Sequence, residues 1–403
     1  MTGDPFRLAG RVILREGRDG PVRGGNPWIF SQAIARTDPA RLPAGAAVAV
    51  SDAKGNVIGC GHYHPATTIA VRMLEWSDSP DLESALARRL KSAFALRRRL
   101  LPADTAVETD CYRVVNGDGD GLSGIVIDRY ADVYVVQLLS AGADRLREWL
   151  VEAIRSSGAP RAILERSQGA VRRQEGLDDN VACLFGQNVG EVVVTEHRLK
   201  FVIDLERGQK TGAFLDQREN RARFGALAKG ARVFDGCCYG GGFALAALAG
   251  GASRVVAADT SARALEFARR NLELNGFTGR EVELMRTDVS RYMAETAERF
   301  DLAVLDPPPL ARSRADASRA GHLYTELNAK AMNVLEPGGM LMTFSCSVHF
   351  RGEDFARAVR IAQAKSGRNF KLIARLGAGA DHPVLLGHLE GEYLTGLLLA
   401  DLG

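Results

Sequence analysis

The chain is short of cysteine, carries no dominant sign of charge and has no long apolar run. Its six cysteines, at 60, 111, 183, 237, 238 and 346, contain no CxxC pair. That spacing argues against a zinc ribbon or a disulfide framework, so no metal is expected. There is no uncharged apolar run of about 18 residues, so no membrane span is expected. The opening MTGDPFRLAGRVILREG has scattered charges and no apolar segment, and does not read as a secretory signal. The expectation is a cytoplasmic location with free thiols. The 43 glycines follow no three-residue period, which excludes a collagen-like chain, and no internal repeat or low-complexity tract is present.

What is there is ordinary globular composition, 46% hydrophobic and 25% charged over 403 residues. At about 150 residues per domain this length implies two or three domains. The 52 basic and 49 acidic residues nearly cancel. The sum therefore does not announce a nucleic-acid binder, but the basic residues are mostly Arg and partly clustered. Arg suits planar, bidentate partners such as phosphate, although a GC-rich genome gives the same bias.

Three segments differ in pattern. Residues 1–78 alternate short strands (RVIL, AAVAVSD, NVIGCGHYH, IAVRMLEW) with Gly, Pro and Asp turns, as in a small β-rich barrel. Here GGNPWIF carries Trp28, which would stack on a base or simply fill the barrel core. Residues 79–190 form an α+β segment. It opens on the helical period of LESALARRLKSAFALRRRL, with Arg88, Arg89, Lys91, Arg97, Arg98 and Arg99 assigned to its polar face. A solvated face is the ordinary reading, and phosphate contact the functional one. From 191 to 403 strands and helices alternate, which predicts βαβ units and a doubly wound, Rossmann-like α/β sheet.

The first strand of this last segment runs into DGCCYGGGF. Gly236, Gly240, Gly241 and Gly242 stand at the turn from strand to helix, where backbone and helix N–H groups can approach a ligand. Later strands end at Asp259, Asp288 and Asp306. Both a dinucleotide and S-adenosylmethionine fit a Gly-rich turn followed by a ribose-binding carboxylate. The spacing GxGxxG is absent, which disfavours the dinucleotide. Carboxylates at 235, 259, 288 and 306 resemble the class I S-adenosylmethionine methyltransferase fold. There these positions approach the methionine moiety, the ribose, the adenine amino group and the target.

Asp306-Pro307-Pro308 ends one strand and Cys346, in TFSCSVHF, ends another. The prolines stiffen the loop and fix the carboxylate. A Cys is commonly buried and inert, but the strand end faces the ligand crevice, and the flanking Ser345 and Ser347 favour chemistry. A thiolate adding to C6 of cytosine would make C5 nucleophilic toward a methyl sulfonium. Asp306 is placed for the N3/N4 edge of that ring. Lys210, in GQKTGAFLDQREN, would depress the thiol pKa or hold a phosphate.

Taken together, NPWIFSQAI, NGDGDGLSGIVIDRY, KTGAFLDQR, YGGGFALAAL, VVAADTS, RTDV, DPP, SCS, ADHPV and EGEYLTG resemble the RlmI-type 23S rRNA cytosine-5 methyltransferases over essentially the whole chain. The resemblance implies an N-terminal PUA domain at 1–78, a central domain at 79–190 and a catalytic domain at 191–403. It implies Cys346 as nucleophile and Asp306 as the carboxylate that positions the base. The expected cofactor set is Asp235, Tyr239, Gly240, Gly241, Gly242, Phe243, Asp259, Thr260, Asp288, Val289 and Gln217. The expected substrate set is Lys210, Arg218, Pro307, Pro308, Trp28 and Arg97. The implied partner is 23S rRNA, with S-adenosylmethionine as cofactor, and a homodimer is left open. Four positions depart from the family: Gly240 stands for Thr, Pro309-Leu310 for Lys-Phe, and Thr287 for Asp. The base that removes the C5 proton is unassigned between water and Asp306. Two other readings remain: an N-methyltransferase acting on guanine or adenine of RNA, and an RNA-binding assembly factor with a vestigial methyltransferase domain.

Overall fold

The computed structural model describes residues 4–101, 108–279, 281–311, 313–347 and 349–403. They form two compact units. The first comprises Met1–Val194, Ile203–Leu215 and Ala380–Gly391, and the second Thr195–Val202, Asp216–Gly379 and Glu392–Gly403.

The first unit holds two sheets. The N-terminal one has six strands: β1 (Gly10–Leu14), β2 (Trp28–Phe30), β3 (Ile34–Asp38), β4 (Ala46–Ser51), β5 (Val57–Tyr63) and β6 (Ile69–Glu75). Their order is β2-β6-β5-β4-β1-β3. Val12, Leu14, Ile29, Val48, Val50, Val71 and Met73 make its core. The second sheet has order β11-β10-β9-β8-β7. Its strands are β7 (Cys111–Asn116), β8 (Ile125–Tyr130), β9 (Val133–Leu138), β10 (Ala162–Ser167) and β11 (Asn180–Phe185). The helix Leu82–Leu100 starts where predicted, because the Asp81 carboxylate caps it by accepting the Ser84 amide at 3.1 Å. Leu82, Ala85, Leu86, Leu90, Ala93, Phe94 and Arg97 form its buried stripe, at helical spacing. β12 (Glu191–Glu196) and β13 (Leu199–Asp204) make a separate two-stranded sheet.

The second unit is a seven-stranded sheet of order β16-β15-β14-β17-β18-β20-β19. The strands are β14 (Arg232–Gly236), β15 (Arg254–Asp259), β16 (Val282–Arg286), β17 (Phe300–Leu305), β18 (Leu335–Ser345), β19 (Phe370–Leu376) and β20 (Thr395–Asp401). The first five in that order are mutually parallel. VFD in β14, VVAA in β15 and LAVL in β17 are fully apolar or buried, as expected of central parallel strands covered on both faces. The last two strands, β20 and β19, pair antiparallel, an edge that the alternation of strands and helices did not predict. β14 has β15 on one side and β17 on the other, so the chain's strand order reverses there. The crevice outside the carboxyl ends of such strands is where ligands bind in this architecture. Among the described residues, no helix is long and apolar enough to cross a membrane.

Candidate active site

Asp235 closes β14 and is 1% exposed. One carboxylate oxygen accepts the Ala244 amide at 2.9 Å, from the first turn of the helix Gly242–Ala249. Among the described residues, the other oxygen has no hydrogen-bond partner. Burial pushes this carboxyl up to about 7, against the Ala244 N–H, while Asp306 and Asp259 add like-charge repulsion.

The loop that follows is strained and firmly tied. Cys237, Tyr239 and Gly241 have φ of 66°, 49° and 73°. For the two non-glycines such backbone costs of the order of 1 kcal/mol or more each, and persists only where surroundings enforce it. Here the Cys237 and Cys238 amides both donate to the Ala258 carbonyl, at 2.9 and 3.1 Å. The Tyr239 amide donates to Asp259 at 3.0 Å, and Asn271 Nδ2 to the Gly240 carbonyl at 2.9 Å. Asn271 is buried and escaped the sequence reading. Its signal was a polar residue on the apolar stripe of the helix Ala262–Leu274. A Cβ on Gly241 would press on Ala268 at 3.0 Å, and one on Gly242 on Arg221 Cδ at 2.7 Å. On Gly240 it would meet only Asn271 Nδ2, at 3.5 Å. A Cβ would therefore fit at this position.

Asp259 ends the neighbouring strand. Its two oxygens accept the Tyr239 and Ser261 amides, and each keeps a lone pair for a further donor. Thr260 is exposed beside it. Asp288 is exposed and caps the helix Val289–Glu295 by accepting the Arg291 amide at 2.8 Å. Gln217 is 2% exposed; its Oε1 accepts from Asn220 at 2.7 Å, and its Nε2 has no partner among the described residues. These groups fit S-adenosylmethionine. An orphaned buried carboxylate oxygen suits an ammonium, an orphaned amide NH₂ is a donor in want of an acceptor, and Asp259 can take a diol.

Phe243 and Val289 are corrected as side-chain contacts. Phe243 packs between Phe224 and Phe344, at 5.5 and 5.9 Å between ring centroids. Val289 belongs to the apolar core.

The reacting end lies on the next two strands. β17 and β18 run parallel with Leu305 opposite Thr343, so Asp306 and Cys346 leave neighbouring carboxyl ends. The Asp306 amide donates to the Gly236 carbonyl at 3.3 Å. The half-buried Cys346 thiol donates to the Pro307 carbonyl at 3.6 Å. Pro307 is buried and Pro308 exposed.

Ser345 and Ser347 brace this loop. Both are fully buried. Ser347 Oγ accepts the amides of Leu310 and Ala311, at 3.1 and 3.2 Å, and lies 3.1 Å from the Tyr324 hydroxyl. Ser345 Oγ contacts the Phe350 carbonyl and the same Tyr324 hydroxyl, at 2.8 and 3.0 Å. Tyr324 is fixed by stacking on Phe350 at 5.4 Å. Its position within a helix, Ala317–Asn333, gave no hint of this role.

Three other thiols, Cys60, Cys237 and Cys238, are pushed toward the neutral form. Burial pushes Cys237 up, helped by the carboxylates of Asp259, Asp306, Asp235 and Asp288, and Cys238 rises for similar reasons. Cys60 is raised to about 12, chiefly by burial. Among the described residues no cluster of His, Cys, Asp or Glu is arranged to hold a metal.

The expected substrate residues divide. Lys210 is exposed in the first unit with φ 54°, its ammonium 4.6 Å from the Phe214 ring centroid. Trp28 is half-buried, donates to Asp118 at 3.1 Å and lies 4.2 Å from the His388 ring. The more open aromatic is Phe30, 38% exposed. Arg97 is corrected: it is 1% exposed and is no part of a solvent face. Its guanidinium binds both oxygens of Asp120 and the carbonyls of Arg113 and Asp381. Position 97 lies four residues past Ala93 on the buried stripe, and that spacing was the missed signal. Arg218 is likewise 1% exposed, so a phosphate contact there is corrected as well.

Residues 146–384 match the family described as S-adenosylmethionine-dependent methyltransferase, and residues 12–76 match a PUA-like domain. The ribosomal RNA large subunit methyltransferase I of Alteromonas mediterranea is 37% identical over 395 residues, covering 97% of this chain and 98% of that protein. That of Photobacterium profundum is 38% identical over 390 residues, covering 96% and 98%. A solved Streptococcus mutans protein described as a SAM-dependent methyltransferase superposes with TM-score 0.81 at 18% identity, over 97% of this chain and 99% of that one. A methyltransferase solved in complex with SAH gives TM-score 0.83 at 18% identity, with the same coverage. At this identity these two structures speak to the fold alone. The chain thus belongs to the ribosomal RNA large subunit methyltransferase I family of S-adenosylmethionine-dependent methyltransferases.

Proposed function

We propose that this chain methylates C5 of a cytosine in large-subunit ribosomal RNA, the RNA named in its relatives' description, through a covalent adduct between Cys346 and C6. The observation that carries this reading is the thiol at the end of β18, donating to the Pro307 carbonyl beside Asp306 on the adjacent strand end. As a thiolate, Cys346 forms the S–C6 bond and the ring's π electrons move toward C5. Asp306 holds the N3/N4 edge and supplies or accepts the proton there. Bound S-adenosylmethionine supplies an electrophilic methyl group to C5. Loss of the C5 proton, to water or Asp306, restores the double bond and expels the Cys346 thiolate. The cofactor residues proposed are Asp235, Tyr239, Gly240, Gly241, Gly242, Asp259, Thr260, Asp288 and Gln217. Residues 1–78, 79–190 and 191–403 are proposed as PUA-like, central and catalytic domains, at work on cytoplasmic rRNA. Incubation with S-adenosylmethionine and unmodified 23S rRNA, followed by bisulfite mapping, should reveal one protected cytosine. Methyl incorporation on a purine nitrogen would overturn the reading.

Asp235 gives this proposal a pH signature. Its raised pKa means that the cofactor-free folded state binds a proton more tightly than the unfolded chain. Stability therefore falls as pH rises from about 4 to about 7, by up to about 4 kcal/mol at 1.36 kcal/mol per pKa unit. Binding the cofactor's ammonium requires the carboxylate. Affinity measured by calorimetry should rise about tenfold per unit up to pH 7, then level. Asp235→Asn should flatten that limb, weaken binding and raise the melting temperature of the free protein above pH 7. A pH-independent affinity in the unsubstituted protein would contradict the assignment.

Ser347 should act through geometry. Ser347→Ala leaves two inward amides without an acceptor, at a cost of about 1–3 kcal/mol, and loosens the loop beside Cys346. A displacement of order 1 Å can cost about a hundredfold in rate. The expected result is a kcat lowered by roughly 10–100-fold with cofactor affinity unchanged, and partial rescue by Ser347→Thr.

A further inference from the structure

The first unit contains a second cleft with the chemistry of a ligand site. It has a volume of about 420 Å³ and is walled by Gly25, Trp76, Arg89, the Gly119–Gly121 turn and Leu385–Gly387. Small-ligand clefts run from about 300 to 1,000 Å³. The Arg89 guanidinium lies 5.3 Å from the Trp76 ring centroid. The ring is itself pinned, because the indole N–H donates to the Val22 carbonyl at 2.7 Å. Arg89 donates to the Gly121 carbonyl at 2.5 Å. A Cβ on Gly121 would lie 2.7 Å from Arg89 Nη1, so glycine there makes room for the cation.

Arg89 lacks what its neighbours have. Glu75 is engaged by Arg88, at 2.7 Å, and by the Asp81 amide, also at 2.7 Å. Asp120 is engaged on both oxygens by Arg97. Among the described residues no carboxylate is within ion-pair distance of Arg89, although burial penalises its charge. Among the described residues, of its five N–H donors only the one to Gly121 is used. At the rim stands Leu386, 89% exposed.

A cleft of apolar and glycine walls with one planar cation, its carboxylate Asp120 already neutralised by Arg97, suits a flat, polar-edged ring. Unstacked RNA bases are held in this way, on aromatic or guanidinium planes with hydrogen bonds at their edges. We infer that the Trp76–Arg89 cleft is a subsite for one unstacked nucleotide of an RNA, with its base against Arg89 and the Leu385–Leu386 wall. The inference rests on the proposed RNA substrate and extends it to residues of the first unit. Arg89 then donates to a base carbonyl or phosphate oxygen, and Leu386 wedges against the neighbouring base.

The test uses the full chain and two probes, a short fluorescein-labelled oligouridine and a short RNA duplex, read by fluorescence anisotropy at fixed salt. Leu386→Ser is at an exposed position and carries no charge, so neither misfolding nor repulsion can produce its effect. Arg89→Lys keeps the charge and loses the plane. Base stacking is worth about 1–3 kcal/mol, so each variant should bind oligouridine about tenfold more weakly. Duplex affinity should change by roughly twofold or less, and the salt slope should be retained. Cofactor affinity should be unaltered in both. Unchanged oligouridine affinity in Leu386→Ser, or equal losses on both probes, overturns the subsite whatever base the protein methylates. Discrimination between the probes in a protein that makes no 5-methylcytosine would refute the cytosine-5 reading and leave the subsite standing.

Discussion

Cys346→Ala is expected to abolish methyl transfer, by at least about 10³-fold, while leaving S-adenosylmethionine binding intact. A loss of that size corresponds to about 4 kcal/mol of barrier at 1.36 kcal/mol per factor of ten. It arises because the step lost is bond formation, for which no neighbour substitutes. Cys237 and Cys238 sit by the cofactor loop, but burial and carboxylates keep them as thiols. The supporting measurement is an adduct. RNA carrying 5-fluorocytosine has no removable proton at C5, so after methylation it should remain bonded to the protein through denaturing electrophoresis. The adduct should disappear in Cys346→Ala and persist in Cys237→Ser. A Cys346→Ala protein that still makes 5-methylcytosine would sink the covalent mechanism. Activity without a trapped adduct in the unsubstituted protein would return attention to Asp306-Pro307-Pro308 and amine methylation.

The largest effect on stability is expected at Arg97, in the first unit. Arg97→Ala leaves Asp120 buried without its cation and strips a donor from the Arg113 and Asp381 carbonyls. Breaking a buried pair from one side costs about 3–5 kcal/mol. Urea unfolding should show the unfolding free energy lowered by that amount, with the midpoint shifted down in proportion to it. The double variant Arg97→Met, Asp120→Leu should recover part of the loss, because the stranded charge is gone. It should not recover all of it, since Asp120 also accepts the Asn116 amide at 2.6 Å. A single variant as stable as the parent would mean that Arg97 is solvated, and would restore it as a candidate for RNA contact.

Arg97 also shows where reading residues in order runs out. The helix was legible from Asp81 to Leu100, because cap and period are local. Which arginines of the run face solvent was not, because a cation on the buried stripe is tolerated only if a distant carboxylate meets it. Asp120 lies on another element, and no local signal pairs the two. The strand ends at Asp235, Asp259, Asp288 and Asp306 were legible, since buried parallel strands read as apolar runs and their carboxyl ends follow. The direction of the neighbouring side chains was not. Phe243 and Val289 stand beside those ends, yet their side chains turn into the core. β19 was missed for a related reason. It is an edge strand with mostly exposed residues, so its apolar signal is weak.

The brace at Ser347 has a consequence for how this loop can vary. It reads the backbone, accepting the amides of residues 310 and 311, while Ala311 lies in the apolar core and Leu310 packs against it. Pro309 is exposed beside this anchor, so a change there alters the loop's outer face while the two amides stay held and Cys346 stays where it is. Proline is barred at 310 and 311, because it would delete the very amide that is held, and a larger side chain at 311 would crowd the core.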